Sequence, residues 1–335
     1  MKEAMFYENI GDKTVRCYLC PHYCKIVQGK RGFCGVRENQ NGILYSLVYG
    51  KAVAVHVDPI EKKPLFHFYP KSRAFSVATV GCNLRCLNCQ NAEISQVGSE
   101  KYFRIIGHDI PPEELVKGAE TERCQSIAYT YTEPTIFFEY AYDTAILANK
   151  KGIKNIFVTN GYITREALEM IRPYLDAANI DLKSFREDFY KNITKGSLKP
   201  VLDCIEWCFN QGIFIEITTL IIPGSNDSKE ELRDIATFIS KMSRDIPWHI
   251  SRFHPSYKLL HLSPTPVDTI YKAIEIGKSK GLRYIYAGNV PGNEFENTFC
   301  PHCNKIVIKR FGFTSKTYLN NNNCQYCNQK LAIQV

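Results

Sequence analysis

The placement of 14 cysteines constrains this chain more than any other feature. Three sets stand apart: Cys17, Cys20, Cys24 and Cys34; Cys82, Cys86 and Cys89; and Cys300, Cys303, Cys324 and Cys327. Disulfide scaffolds belong to short secreted chains, whereas here tight x2 and x3 spacings are separated by long cysteine-poor stretches, so metal ligation is the better reading. Three metal sites are implied. Cys204 and Cys208, four apart in LDCIEWCFNQ, share one face of an expected helix with apolar neighbours, and Cys124 lies at a helix-to-strand junction. These three read as small buried apolar groups, not ligands.

Between the second and third sets, short β-rich apolar runs alternate with amphipathic runs, the pattern of βα units building a parallel sheet. Strands are expected at 74–80, 126–131, 153–159, 177–183, 213–222 and 248–253. A helix should start at PPEEL, with others at 135–151, 164–174, 199–211, 228–243 and 267–280. Six such units with right-handed crossovers curl into a partial barrel, whose chemistry gathers at the strand C-terminal ends. GCNLRC, YTEP, TNG, DLK, PGSND and RFHP all follow or close these strands, so polar and turn-forming motifs converge on one rim. PGSND also reads as an ordinary turn into a helix capped by Asn226, Asp227 or Ser228.

An apolar fraction of 44% in 335 residues supports one full-sized core with smaller appendages and excludes a disordered chain. The expected division is a cysteine-rich part at 1–71, a barrel at 72–290 and a metal module at 291–335. The charge of +8 comes from 42 basic and 34 acidic residues scattered without a basic block, which favours an anionic cofactor or partner only weakly and does not by itself indicate nucleic acid. No run approaches the roughly 20 apolar residues of a membrane span, and MKEAMFYENIGDK has no signal-peptide core, so a cytoplasmic protein is expected. DPIEKKPLFHFYPKSR, ahead of the first strand, is read as a solvated linker; the alternative lays it over the barrel mouth with Glu61, Lys62, Lys63 or His67 reaching substrate.

A four-iron cluster is usually closed by four thiolates. The C-x3-C-x2-C run of Cys82, Cys86 and Cys89 supplies three, leaving one iron open, as catalytic zinc keeps an open position. A structural zinc with a distant fourth ligand, such as His108 or His254, is the competing reading. Structural zinc sites, however, usually pair x2 knuckles. Cys300/Cys303 and Cys324/Cys327 are such a pair, with zinc-ribbon or rubredoxin spacing; zinc is expected, and a rubredoxin-type iron would instead imply electron delivery. Asn304 and Asn328 follow the second cysteine of each pair, where knuckles need a left-handed residue. The uneven spacing of Cys17, Cys20, Cys24 and Cys34, with His22 as a competing ligand, leaves zinc and an auxiliary Fe-S cluster open.

GCNLRCLNCQN is similar to the signature of the radical SAM superfamily. The chain resembles its pyruvate formate-lyase activating-enzyme branch, and in particular the radical SAM enzymes of the AmmeMemoRadiSam system, from CPHYC and IEKKPLFHFYP through the triplet to GNVPG and CPHC. The resemblance covers almost the whole chain. It implies an α/β fold, a partial (β/α)6 TIM-like barrel with small cysteine-rich additions. It also implies an oxidoreductase whose [4Fe-4S] cluster reductively cleaves S-adenosylmethionine (SAM) to a 5′-deoxyadenosyl radical. That radical would take hydrogen from an unidentified substrate, a glycyl-radical-type partner protein or a small molecule, with a ferredoxin or flavodoxin as reductant.

By the same resemblance, Glu133 of YTEP stands at the glutamate of a Gly-Gly-Glu motif, with Tyr131 and Thr132 in place of the glycines, and this backbone should receive the SAM amino group. Thr159 and Asn160 of TNG join the cofactor site; Val158 replaces an aspartate that binds a monovalent cation, so no cation site is expected. Asp181 should meet ribose hydroxyls, Lys183 the carboxylate, and His254 the nucleoside. Asn88 stands where relatives place an aromatic residue against adenine. A competing function is a zinc-ribbon nucleic-acid-binding protein carried on a barrel scaffold. KRFGFTSKTY interleaves basic and aromatic residues modestly, but NNNNCQYCNQK is nearly uncharged.

Overall fold

The structure is a computed structural model and describes residues 1–96 and 104–335. Its centre is an eight-stranded sheet. In chain order the strands are β1 (Ala54–Pro59), β2 (Arg73–Ala78), β3 (Ser126–Tyr129), β4 (Lys154–Thr159), β5 (Ala177–Asp181), β6 (Phe214–Ile221), β7 (Trp248–Arg252) and β8 (Ile285–Gly288). They lie in sequence order, β2 to β8 parallel and β1 antiparallel on the edge beside β2. The six expected strands are present, and the sheet extends past them at both ends. Helices α1 (Pro112–Thr121), α2 (Phe138–Lys150), α3 (Arg165–Ile171), α4 (Leu198–Asn210), α5 (Lys229–Met242) and α6 (Val267–Ser279) supply the crossovers.

Local signals set these boundaries. Prolines open α1, and Glu113 and Glu114 sit in its first turn, where the helix dipole favours negative charge. Of the three candidate caps in PGSND, Ser228 takes the role, its hydroxyl accepting from the Glu231 amide. Alternation divides each strand between two faces. Phe75 of β2 packs outward, where a Cβ on Gly118 of α1 would lie 2.7 Å from its ring. Ala74, Ala128, Ile156 and Ala177 line the other face near the strand N-terminal ends. Cys124, Cys204 and Cys208 are buried in the apolar core, as expected.

The solvated-linker reading of the run before β2 is corrected by the structure. Ile60, Leu65 and Phe68 are fully buried against Ala74, Ala128, Ile156 and Ala177, so residues 60–69 form a plug in the N-terminal half of the barrel. Apolar residues in the run explain the burial, and among the described residues the plug's buried polar groups are paired except Glu61 Oε2. Glu216 of β6 accepts from the amides of Phe66 (3.0 Å) and His67 (2.7 Å) and meets His249 Nε2 at 2.6 Å. Asn179 donates to the Pro64 carbonyl at 2.8 Å. His67 joins its ring to the Ala332 carbonyl (2.8 Å) and the Tyr286 hydroxyl (2.6 Å). Arg310, on the strand Ile306–Phe311 of the C-terminal module, donates to the Phe66 carbonyl (2.7 Å) and stacks 4.1 Å above the Phe66 ring. The C-terminal module thus locks the plug from below.

N-terminal residues such as Phe6, Val15, Ile26 and Val36 belong to the same core as the barrel's outer layer, whereas Val307, Ile308, Leu331 and Ile333 form a separate small core around Cys300 and Cys324. Among the described residues, no helix is long and apolar enough to cross a membrane.

Two predictions follow from the plug. Glu216→Ala strands two buried amides and His249, and should lower unfolding free energy by about 3 kcal/mol or more in urea titration. Burial holds the His67 imidazole down to about 4, against 6.5 in the unfolded chain. The unfolded state therefore takes up its proton first as pH falls, and stability present above pH 6.5 is lost between 6.5 and 4. The urea midpoint should decline across that window, and less steeply in His67→Gln.

Candidate functional site

The loop after β2 carries the triplet, and neighbouring rim loops clamp it. Arg85 and Leu87 amides donate to the carbonyls of Thr194 (2.7 Å) and Ile193 (3.0 Å) beyond β5; Lys258 N donates to Leu87 O (3.0 Å) and Ser256 Oγ to Asn88 O (2.9 Å) beyond β7. Asn91 Nδ2 donates to the Tyr131 carbonyl at 2.7 Å after β3. Gly196 lets the loop lie close, since a Cβ there would come within 2.7 Å of Leu84. The expected convergence of strand-end motifs is thus realised.

The three thiols sit among donors suited to thiolates. Cys82 Sγ receives the Leu84 amide (3.4 Å) and Asn160 Nδ2 (3.7 Å), and Cys89 Sγ lies 2.9 Å from Ser95 Oγ. Burial, with the Glu133 carboxylate adding to it, pushes the Cys82 thiol up; burial also pushes Cys86 up to about 11, although the Lys183 ammonium opposes it. A buried set of thiolates needs positive charge among them, which a bound iron cluster supplies. Among the described residues their sulfurs do not gather within 4.8 Å as a single-ion site would, a spacing compatible with ligands on separate irons. On both counts the three residues fit a cluster.

Glu133, fully buried after β3, is saturated by donors: Thr135 N (3.0 Å), Thr135 Oγ1 (2.7 Å) and Thr159 Oγ1 (2.8 Å) on one oxygen, Asn160 N (2.8 Å) on the other. Burial raises its carboxyl, while these bonds pull the other way. Asn160 then reaches Asn83 Oδ1 (2.9 Å) as well as the Cys82 sulfur, and Asn83 Nδ2 donates to Tyr162 O (2.6 Å). Glu133, Thr159 and Asn160 therefore form one brace beneath Cys82.

Asp181 and Lys183 pair at 2.6 Å and are both partly exposed. Burial would lower the Lys183 ammonium, but Asp181 and Cys86 outweigh it and raise it. Lys183 is therefore a fixed cation beside the triplet. His254 is exposed on the loop after β7.

Tyr131 takes a glycine-like backbone, φ 63°. Such a residue costs about 1–2 kcal/mol. Its side chain offsets that cost inside the barrel: the hydroxyl donates to Asp58, and the Lys63 ammonium lies 4.2 Å from its ring. Asp58 also accepts from Lys63 (2.7 Å), Lys62 (2.9 Å) and Ser76 (2.8 Å); burial would raise its carboxyl, but these donors hold it far below the usual range. Burial pulls Lys63 down to about 8 despite Asp58. The left-handed turn keeps the Tyr131 backbone clear of its own side chain.

Cys17, Cys20, Cys24 and Cys34 line one cavity with Leu19 and Phe33. Arg37, its charge matched by Glu139 at 2.8 and 3.1 Å, also lines it. His22 turns away, Nε2 against the Asn83 carbonyl at 2.6 Å. Cys300, Cys303, Cys324 and Cys327 bring their sulfurs within 4.8 Å of one another, with Cys300–Cys327 at 3.6 Å and Cys303–Cys324 at 3.7 Å. Bonds of about 2.3 Å at tetrahedral angles separate sulfurs by roughly 3.8 Å, so this set fits a single ion. Asn304 and Asn328 are left-handed, at φ 57° and 58°, as the knuckles require.

Residues 76–239 match the radical SAM superfamily. The chain is 45% identical over 337 residues to an uncharacterised protein of Methanocaldococcus jannaschii, covering 99% of each. It is 29% identical over 220 residues to a protein of that organism provisionally named a glycyl-radical enzyme activating enzyme, covering 64% of this chain and 79% of the relative. The crystal structure of Streptococcus suis SuiB bound to S-adenosylmethionine shares the fold at TM-score 0.50 and 13% identity, over 67% of this chain and 52% of that one. This chain belongs to the radical SAM superfamily. Its relatives include proteins provisionally named glycyl-radical enzyme activating enzymes as well as GTP 3′,8-cyclases.

Sequence reasoning missed Asn83, Ser95 and the Asp58–Lys63–Tyr131 cluster. The signal for the cluster was a lysine pair between apolar residues, a poor composition for a solvated linker.

Glu133→Gln puts an amide donor where every partner is a donor. Thermal stability should drop by about 1–3 kcal/mol, and iron retention on gel filtration should fall with it.

Proposed function

We propose that the chain is a radical SAM oxidoreductase in which Cys82, Cys86 and Cys89 hold a [4Fe-4S] cluster, and that SAM binds across the rim beside them. The observation that carries this reading is the clamping of the triplet loop by the loops after β3, β5 and β7, with Lys183 next to Cys86. When bound, the cluster supplies one electron to the SAM sulfonium, releasing methionine and a 5′-deoxyadenosyl radical for hydrogen abstraction.

The chain's own residues bind and orient. Lys183 offers a fixed positive charge to the SAM carboxylate, and Asp181 accepts from ribose hydroxyls. The backbone at Tyr131 to Glu133 receives the amino group, its approach kept open by the left-handed turn. Asn88 has an enclosed Oδ1 with no hydrogen-bond partner among the described residues, which gives the adenine amine an acceptor where relatives use an aromatic wall. His254 closes the nucleoside side. The plug seals the barrel's far end against water that would quench a radical. The C-terminal thiolates hold a zinc ion, on the strength of their tetrahedral sulfur spacings. The substrate class nearest to hand is a glycyl-radical-type partner protein, from the provisional name of one relative; a ferredoxin or flavodoxin supplies the electron.

Anaerobically reconstituted protein given dithionite and SAM should form 5′-deoxyadenosine, and Cys86→Ala should reduce the yield at least a hundredfold. Undiminished product in that variant would overturn the reading. Lys183→Met should raise the SAM dissociation constant by about tenfold to a hundredfold, the effect of removing one charge-assisted contact.

A further inference from the structure

We propose that Cys17, Cys20, Cys24 and Cys34 hold a second [4Fe-4S] cluster, not a zinc ion. Spacing in the sequence leaves both metals open, and the contrast with the C-terminal set favours the cluster. All four cysteines line one cavity, so they address a common centre. Among the described residues, however, they are not among the ligand groups whose donor atoms gather within 4.8 Å, whereas the C-terminal four are. The two C-terminal sulfur contacts, at 3.6 and 3.7 Å, match a single tetrahedral ion. No three of the N-terminal sulfurs gather within that distance among the described residues, and four thiolates around a shared cavity without such a gathering suit a cluster in which each sits on its own iron. The two sites lie in one chain and use the same ligand chemistry, so each calibrates the other.

The surroundings agree. The cavity wall is apolar at Leu19, Ile26, Phe33 and Ile136, and the Phe33 amide donates to Cys24 Sγ at 3.4 Å. Burial and hydrogen bonds to sulfur are the levers that tune cluster potential. The site also adjoins the triplet. Gly81, immediately before Cys82, has φ +101°, and a Cβ on it would lie 3.1 Å from the Cys34 carbonyl and 2.7 Å from Val36. Arg85 caps the Phe33 ring at 4.6 Å and donates to the Phe33 carbonyl, and His22 bonds the Asn83 carbonyl.

That adjacency gives the cluster a task, which rests on the SAM-cleaving reading of the triplet. A low-potential one-electron donor of the ferredoxin or flavodoxin class is oxidised by one electron. The N-terminal cluster takes that electron and passes it on, returning to its oxidised state as the triplet's cluster is reduced.

The test is a Cys82→Ala/Cys86→Ala/Cys89→Ala chain, which leaves the N-terminal ligands intact, purified without oxygen and analysed for iron, sulfide and zinc. The expected result is about four irons and four sulfides per chain with one zinc, and about eight irons in the unaltered protein. A variant free of iron and carrying two zinc ions overturns the proposal. Four irons in both proteins would remove the triplet's cluster and leave this one standing, so the two readings fail separately. Dithionite-reduced unaltered protein should give an electron paramagnetic resonance signal broadened relative to the variant by its neighbouring spin; equal linewidths would remove the electron-passing role.

Discussion

The carboxylate of Glu133 is the constraint on which the rest of the site depends. It is fully buried and accepts from every donor within reach, so it fixes Thr135, Thr159 and Asn160 in one arrangement. A buried charge is tolerable only when its lone pairs are satisfied in this way. Asn160 passes the constraint to Asn83 and the Cys82 sulfur, so the ends of β3 and β4 and the triplet loop are tied together. A metal ligand positioned by a satisfied outer partner is held better than packing alone would hold it. Glu133 acts here through other residues, its oxygens already committed.

A second buried carboxylate organises the opposite end. Glu216 gathers the plug amides and His249, while Arg310 reaches in from the C-terminal module. The two ends have different duties. The rim leaves Lys183, Asp181 and His254 open to solvent, whereas the far end is closed by groups at or near full burial. A single ion held by the four C-terminal sulfurs would therefore also secure the barrel floor.

The barrel was legible because its signals are local. Periodicity located six strands and their helices to within a few residues, and cap chemistry named Ser228 among its candidates. Left-handed Asn304 and Asn328 were legible for the same reason. The plug was not, because whether Lys63 is solvated or buried depends on Asp58 and Tyr131, the latter 68 positions further along the chain. Nor does YIYAG announce a seventh parallel strand: four residues carry little pattern until β7 stands beside them. At the site, the grouping of the cysteines was legible and the supporting contacts were not. Spacing says which residues can share a metal, while Ser95 at Cys89 and Asn83 at Asn160 are set by tertiary folding.

Tyr131, which by resemblance stands at a family glycine, shows how a side chain can occupy a left-handed position at the rim. Glycine is used where a left-handed backbone or a close approach is required, and a side chain there interferes by strain or by bulk. The strain is met by Asp58 and Lys63, which hold the ring inside the barrel, and the bulk is removed from the rim by the same contacts. The cluster below thus does by attraction what the absence of a side chain does in glycine. Asp58, Lys62, Lys63 and Ser76 are then part of the site's geometry, although all four precede the triplet in the chain and none is a cysteine of it. Any change that frees the Tyr131 ring from Asp58 acts on the same backbone that the SAM amino group is proposed to meet.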